Sequence, residues 1–192
     1  MSTEKHDTIT KIMQAATVII GKEGNLNATI RDISQRAEVN IASINYYFRS
    51  KDKLMEEVES KILEDMRRTY QFLRDENKNP RERLLLWADG LMQYLMDYPG
   101  IIYMLGTKVL IGSRQGASLA EYMKRSTADL TPVVSQLTGV TDERLLEFKV
   151  LHLTSGVVYP ILIYSSNETK NEPSLKDSRN RKEYLSLLID SI

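Results

Sequence analysis

The sequence predicts an all-α protein, and three observations support that prediction. Apolar residues recur every three or four positions from residue 8 to the C-terminal region, which is the period of an amphipathic helix. Gly, Pro and short polar clusters divide this pattern into about nine segments. No segment alternates apolar and polar residues in the two-residue period of a strand. We therefore expect an N-terminal three-helix helix-turn-helix domain followed by a C-terminal helical bundle.

The first helix is predicted over residues 8–22, where a strong apolar stripe ends at Gly21 and Gly24. The residues before it are polar, and nothing in them has the continuous apolar character of an export signal. We expect this leader to be disordered and the protein to be cytoplasmic.

Two short helices with a tight connection are predicted next, over residues 29–36 and 41–47. In the first, Ile30, Ile33 and Ala37 have the spacing of one apolar stripe, and Thr29 with Asp32 offers a start like a capping box. Asn40 is suited to cap the second helix by accepting a hydrogen bond from a free backbone N–H. Together these features predict a helix-turn-helix.

The second short helix divides into two faces. We expect Ile41, Ile44 and Phe48 to point inward. The opposite face is small, polar and aromatic, which suits DNA: hydroxyl and amide groups hydrogen-bond base edges, a methyl group contacts thymine, and Tyr hydroxyls reach phosphates. Its members are Ala42, Ser43, Asn45, Tyr46 and Tyr47.

A long helix is predicted from residue 51 to about residue 77, since its apolar positions keep the helical spacing up to the sequence Asn77-Lys78-Asn79-Pro80. On the helix that follows, we expect Trp87 to lie at the margin of the buried face. The further helices are predicted at 81–97, 100–112, 117–137, 142–165 and 178–191.

The helix predicted over residues 142–165 is apolar on nearly every face, so it needs partners on every face. It is too interrupted by polar residues and Pro for a membrane span, and we expect no membrane association. A second subunit is the economical partner. Within this helix, Pro160 leaves the Gly156 carbonyl without its usual N–H donor, and we expect a bend there.

Composition excludes several classes of site. The chain has no Cys, so it has no thiolate zinc site, disulfide or catalytic thiol. Its two His residues, His6 and His152, lie far apart with no matching carboxylate pattern, so we predict no metal site and no cofactor. Lys and Arg balance Asp and Glu at 26 each, which gives no overall charge signal for nucleic acid.

Two short amphipathic helices with a tight connection also occur in many helical bundles. Periodicity alone therefore does not distinguish a helix-turn-helix from an ordinary pair of bundle helices. The run Ile44-Asn45-Tyr46-Tyr47-Phe48-Arg49-Ser50-Lys51-Asp52-Lys53-Leu54, with Thr29-Ile30-Arg31-Asp32-Ile33-Ser34 and Ala37-x-Val39 before it, resembles the DNA-binding domain of the TetR family of transcriptional regulators. The resemblance covers roughly residues 8–58. Three positions depart from the usual family pattern: Glu38 replaces a frequent Gly in the turn, Asn45 a frequent Tyr, and Tyr47 a frequent His.

This resemblance implies a division at residues 1–55 for DNA binding and 56–192 for ligand binding and dimerisation. We expect base contacts from Ser43, Asn45 and Tyr46, and phosphate contacts from Asn40, Tyr47 and Lys51. The full predicted DNA-binding set is Thr29, Arg31, Asn40, Ala42, Ser43, Asn45, Tyr46, Tyr47 and Lys51.

The C-terminal part is rich in aromatic and thioether side chains, which suit the walls of an adaptable apolar pocket. They fit equally well as core and interface residues, and the resemblance is what favours a pocket. The candidate ligand-binding residues are Trp87, Met92, Tyr94, Tyr103, Met104, Tyr122, Met123, His152 and Tyr159.

The sequence and the resemblance together predict a homodimeric repressor joined through helices at about 142–165 and 178–191. Its partners would be a double-stranded, palindromic DNA operator and a small apolar or amphipathic inducer. The alternative is a DNA-binding dimer without such a ligand, regulated by a protein partner or by its abundance. We do not expect an enzyme, because no catalytic motif is recognisable in the sequence.

Overall fold

The computed structural model of the protein describes residues 2–111, 117–164 and 174–192. Within these ranges the chain is helical and contains no strand, so the predicted all-α class is confirmed. The predicted connections over 112–116 and 166–173, with the predicted helix ends at 112 and 165, lie outside the described residues. The α-helices of the described ranges are α1 (Ser2–Thr17), α2 (Ile30–Ala37), α3 (Ile41–Phe48), α4 (Lys51–Arg68), α5 (Pro80–Asp97), α6 (Gly100–Ile111), α7 (Ala117–Thr138), α8 (Glu143–Tyr164) and α9 (Ser178–Asp190).

Two predicted helices have different bounds in the structure. The leader is helical, since α1 begins at Ser2, and the helix continues through a π-helical turn at Val18–Lys22. The single helix predicted over 51–77 is wrong: α4 ends at Arg68 and a 3₁₀ helix, Thr69–Arg74, follows it. The Thr69 hydroxyl donates a hydrogen bond to the Met66 carbonyl at 2.8 Å, a side-chain bond that competes with the regular helical pattern.

The chain packs as two compact units. One comprises the chain up to Glu64 together with α6, and the other comprises Asp65–Asp97 with α7, α8 and α9. The functional division predicted at residues 55 and 56 stays a prediction, because packing alone does not assign function to either segment.

In the first unit, α2 and α3 are held by apolar side chains that are fully buried. Ile33 of α2 and Ile44 of α3 have no exposed surface, and Phe48 is nearly as buried. The prediction that Ile41 faces inward is wrong: this first residue of α3 is 42% exposed. At the start of so short a helix, its side chain lies beyond the buried contacts that Ile44 and Phe48 make further along.

Gly100 allows α6 to start against the π-helical turn of the same unit. A Cβ atom added at position 100 would overlap the Ile20 carbonyl oxygen. It would also lie only 2.7 Å from Gly24 Cα. These neighbours are backbone atoms that cannot move aside, so close packing at this point requires glycine.

The turn between α2 and α3 contains a left-handed residue. Glu38 ends α2 with φ 56° and ψ 40°, and its N–H donates to the Gln35 carbonyl at 3.3 Å. The Val39 N–H donates to the Ser34 carbonyl at 3.0 Å and completes the helix end. In this conformation the Cβ atom of Glu38 destabilises the folded state, whereas glycine, which has no Cβ, would adopt it without that cost.

In the second unit, the core is built around Trp87. Its side chain has no exposed surface, so the prediction that it lies at the margin of α5 is wrong. The Tyr70 ring packs edge-on against it, with the ring centroids 5.7 Å apart. Tyr70 belongs to the 3₁₀ helix and covers the side of α5 that carries Trp87. The apolar pattern of α5 alone does not predict this contact.

Two ion pairs join α9 to α5. The buried Arg181 donates from Nε to the Asp89 carboxylate at 2.6 Å, and its Nη1 donates to the Leu175 carbonyl at 3.1 Å. Near the other end of α9, Arg81 donates to Asp190 at 2.7 Å. Buried and well-bonded guanidinium groups such as Arg181 fix geometry because they must keep their partners.

The Gly156 carbonyl of α8, which Pro160 leaves without its helical donor, accepts a hydrogen bond from the Tyr184 hydroxyl of α9 at 2.8 Å. The Leu188 side chain also lies over Gly156 so closely that a Cβ atom there would be 2.5 Å from Leu188 Cδ1. The backbone group released by Pro160 therefore becomes a docking point between α8 and α9.

We expect Glu38→Gly to raise the free energy of unfolding of the first unit by about 1 kcal/mol, because glycine adopts the left-handed backbone without a Cβ penalty. The matched control is Glu57→Gly in the interior of α4, which should lower stability by about 1 kcal/mol. Urea unfolding followed by circular dichroism measures both. A loss of stability in Glu38→Gly would contradict the left-handed conformation.

We expect Tyr184→Phe to lower the free energy of unfolding by about 1–2 kcal/mol, because it leaves a half-buried carbonyl without a donor. Tyr103→Phe, which removes the hydroxyl of a side chain that is 62% exposed on α6, should change stability by less than about 0.5 kcal/mol. Thermal unfolding of the two variants side by side tests this, and equal effects would show that the hydroxyl of Tyr184 contributes nothing.

Candidate nucleic-acid interface

The outward face of α3 presents the side chains that the sequence predicted for it. Ala42, Asn45 and Tyr46 are exposed, and Ser43 and Tyr47 are half-buried. Tyr46 is 78% exposed, which is unusual for so large an aromatic side chain. The Tyr46 and Tyr47 rings meet edge to face with centroids 5.0 Å apart, so each restricts the orientation of the other.

Two side-chain caps fix the starts of α2 and α3. Thr29 Oγ1 accepts a hydrogen bond from the Asp32 N–H at 3.2 Å, and the Asp32 carboxylate accepts from the Thr29 N–H at 2.7 Å. These hydrogen bonds, foremost the one from the Thr29 backbone, hold the pKa of Asp32 below its usual value. The Asn40 amide oxygen accepts from the Ala42 N–H at 2.8 Å, which leaves its NH₂ group to donate elsewhere.

The cations around α3 differ in their availability. Lys53 donates to Glu56 at 2.5 Å, and this ion pair raises the pKa of Lys53. Arg31, Arg49 and Lys51 take part in none of the ion pairs found in the described part of the chain, and all three keep some exposed surface. A phosphate close to α3 would therefore meet these three cations without having to break an ion pair.

Arg49 follows α3 with a positive φ of 64°, so a non-glycine residue in a rare conformation ends this helix as well. Its N–H donates to the Asn45 carbonyl at 3.0 Å. The Ser50 hydroxyl then accepts from the Lys53 N–H at 3.2 Å and caps α4, in whose first turn Lys51 lies. The positive end of the α4 dipole is thus next to a cation, a combination that favours an anion.

The second unit contains a cavity of about 670 Å³. Four of the nine predicted ligand-binding residues line it: Trp87, Tyr122, Met123 and Tyr159. Met92, Tyr94 and His152 belong to the same unit and are not among its lining residues. Tyr103 and Met104 lie on α6 in the other unit, where Tyr103 is 62% exposed and Met104 is buried.

Sequence reasoning missed much of the cavity wall. Met66 and Tyr70 come from the end of α4 and the 3₁₀ helix, and Ser126 comes from α7. On α8 the lining positions recur every three or four residues, a signal that could have identified them: Glu147, Val150, Leu151, Thr154, Ser155, Val158, Tyr159 and Leu162. The sequence does not show which face of a helix that is apolar on every side borders a cavity.

The described residues bear on two other kinds of site, a metal site and a membrane-spanning helix. No group of three or more His, Cys, Asp or Glu side chains in those residues is placed to hold a metal ion. By length and composition alone, Glu143–Ile163 of α8 is apolar enough to cross a membrane, and a core helix of a soluble protein meets the same criterion.

Comparison with known proteins finds a sequence match for part of the first unit. Residues 12–58 match the sequence model of the bacterial regulatory proteins of the tetR family. The chain is 27% identical over 111 residues to the probable HTH-type transcriptional regulator YttP of Bacillus subtilis strain 168, a match that covers 57% of this chain and 54% of that relative. It is 37% identical over 73 residues to the HTH-type transcriptional regulator BetI of Agrobacterium fabrum, covering 38% and 35%.

These matches span about half of YttP and about a third of BetI. The fold match is much longer. A TetR transcription regulator from Haloarcula marismortui superimposes with a TM-score of 0.72 over 97% of this chain and 98% of its own, at 18% identity. Residues 12–58 are therefore similar in sequence to the bacterial regulatory proteins of the tetR family, and the fold of nearly the whole chain is similar to that of the Haloarcula regulator.

Proposed function

We propose that the protein is a sequence-specific DNA-binding transcriptional regulator that acts in the cytoplasm as a repressor. The observation that carries this proposal is the exposed face of α3, where Asn45 and Tyr46 project from a short helix capped at its start by Asn40. Amide and hydroxyl groups on a rigid helix are the chemistry that reads base edges in the major groove.

The phosphate contacts in this proposal come from the surroundings of α3. Asn40 and Tyr47 are placed at its two ends, and Lys51 follows in the first turn of α4. Arg31 and Arg49 are further exposed cations beside the same surface. Because so few cations are involved, we expect weak binding to non-specific DNA and a modest dependence on salt.

We further propose a homodimer formed through α8 and α9. Large apolar side chains remain exposed on these two helices, a surface that monomeric proteins rarely leave uncovered. The exposed set is Leu145, Phe148, Leu151, Tyr159, Leu162, Ile163 and Leu187. A two-fold dimer would present two α3 helices to a pseudo-palindromic operator with half-sites roughly 34 Å apart, or a multiple of that spacing.

Regulation by a small apolar or amphipathic ligand is the last part of the proposal, with α4 as the link between the two functions. The cavity in the second unit supports it over the alternative of a ligand-free dimer, which predicts a filled core. Release from DNA requires a ligand that binds the released state more tightly than the DNA-bound state.

The decisive experiment is selection of binding sites from a random pool of duplex DNA, with the stoichiometry measured on the selected site. We expect an enriched inverted repeat that binds one or two dimers. Enrichment of no sequence, with or without cell extract as a source of co-ligands, would refute the proposed function.

We expect Asn45→Ala to weaken binding to the selected operator by about 1–3 kcal/mol and to relax its sequence preference, because a base contact is lost. Lys51→Ala should instead weaken binding to all DNA about equally and reduce the salt slope by about 1. Fluorescence anisotropy with operator and random duplexes at several salt concentrations measures both. Identical profiles for the two variants would mean that the reading face is elsewhere.

We expect Phe148→Glu to raise the dimer dissociation constant by about tenfold or more, because a two-fold interface would bury two like charges. The matched control is Tyr103→Glu, which places the same charge at an exposed aromatic position on α6. Sedimentation equilibrium compares the two variants. A dimer unaffected by Phe148→Glu would exclude this face of α8 from the interface.

A further inference from the structure

The cavity of the second unit has a buried end and an open end. Trp87, Tyr70 and Tyr122 lie at the buried end, where each is less than 10% exposed. Met123 and Tyr159 lie at the open end and are 57% and 62% exposed. A volume of about 670 Å³ is within the range of pockets that hold small organic molecules.

The indole N–H of Trp87 is a buried donor without an acceptor. The side chain has no exposed surface, and its Nε1 atom has no hydrogen-bond partner among the residues that the structure describes. Trp87 also lines the cavity. Buried polar groups in folded proteins nearly always have a partner. An unpaired donor in the wall of a cavity therefore indicates that a molecule bound in the cavity supplies the missing acceptor.

The neighbouring polar groups at the buried end can also donate. The Tyr70 and Tyr122 hydroxyl oxygens lie 3.5 Å apart, and a hydrogen bond between two hydroxyls uses only one of their two protons. Burial raises the pKa of Tyr122 far above its ordinary value, so this phenol stays protonated. The hydroxyl groups at this end can donate or accept, whereas the Trp87 N–H can only donate. The group that this end lacks is therefore an acceptor for Trp87.

The charges around the cavity argue for a neutral ligand. Among the described residues that line it, Glu147 is the one with a carboxylate, and it is exposed on α8; none of these described lining residues is Lys, Arg or His. The guanidinium of Arg67 has its Cζ 5.8 Å from the centroid of the Tyr70 ring, but it already pairs with Asp129 at 3.3 Å. An ionised group at the buried end would therefore lose its hydration without meeting an unpaired counter-charge. The remaining wall is largely aliphatic, aromatic and thioether, from Met66, Leu91, Val150 and Val158 among others.

We propose that this cavity binds a small, neutral, mainly apolar molecule whose carbonyl oxygen accepts a hydrogen bond from the Trp87 indole N–H. The proposal deepens the proposed function, since it names the chemical class of the regulatory ligand and rests on that function for its regulatory meaning. Binding itself can be measured without DNA.

The test uses butyrophenone and butylbenzene, two probes of nearly equal size that differ in the carbonyl group. We expect the full-length protein to bind the ketone about 3- to 10-fold more tightly than the hydrocarbon, the ratio that one net hydrogen bond provides. Calorimetry gives the affinities. Trp87 is the chain's single Trp, so the indole resonance in a ¹H–¹⁵N spectrum reports this donor alone, and the ketone should shift it downfield.

Two variants assign the effect. Trp87→Phe should reduce the ratio of the two affinities to less than about twofold, whereas Tyr122→Phe should retain most of the preference for the ketone. Because Trp87→Phe replaces a core side chain, its fold is checked by circular dichroism; the indole shift in the unaltered protein tests the proposal even if this variant unfolds.

Several outcomes would overturn the proposal. They are equal affinities for the two probes, no binding of either, a ketone that leaves the indole resonance unmoved, or a preference abolished by Tyr122→Phe and kept in Trp87→Phe. Operator binding is measured on the same preparation. Its failure would refute the proposed function alone, whereas failure of the ketone preference with intact operator binding would refute only the ligand class.

Discussion

Two eight-residue helices carry the proposed DNA-reading surface, and helices of this length are not stable alone in water. They persist because Ile33 and Ile44 are fully buried and because Thr29 and Asn40 satisfy the backbone N–H groups at their starts. These inward and capping residues stabilise the two helices. The exposed residues Ala42, Asn45 and Tyr46 of α3 are thereby left outside the core, which is the condition for a surface that reads DNA.

Both short helices also end in a residue with positive φ that is not glycine. Glu38 and Arg49 have φ values of 56° and 64°, and each N–H still bonds back to a carbonyl of its helix. The hydrogen bonds and the buried apolar contacts keep the strained conformations in place. These two bends set the angle at which α3 follows α2 and precedes α4, so local strain helps to position the reading surface.

In the second unit, two backbone or side-chain polar groups differ in whether the protein supplies their hydrogen-bond partner. Pro160 removes the helical donor of the Gly156 carbonyl, and the Tyr184 hydroxyl replaces it from α9. The Trp87 N–H receives no such partner from the described residues, although its side chain is fully buried and the Gly156 carbonyl is only half-buried. The first group therefore serves helix packing, whereas the second stays available to a molecule in the cavity.

The sequence by itself determined what depends on local chemistry: helical periodicity, the caps at Thr29 and Asn40, and the carbonyl that Pro160 releases, because each involves residues within one or two turns. Only the tertiary structure decided that Trp87 is wholly buried, that Tyr103 is not among the lining residues of the cavity, and that Tyr184 donates to Gly156. Those outcomes depend on partners distant in the chain. A periodic apolar pattern shows that a face is buried, but not which side chains meet it or where they leave a cavity.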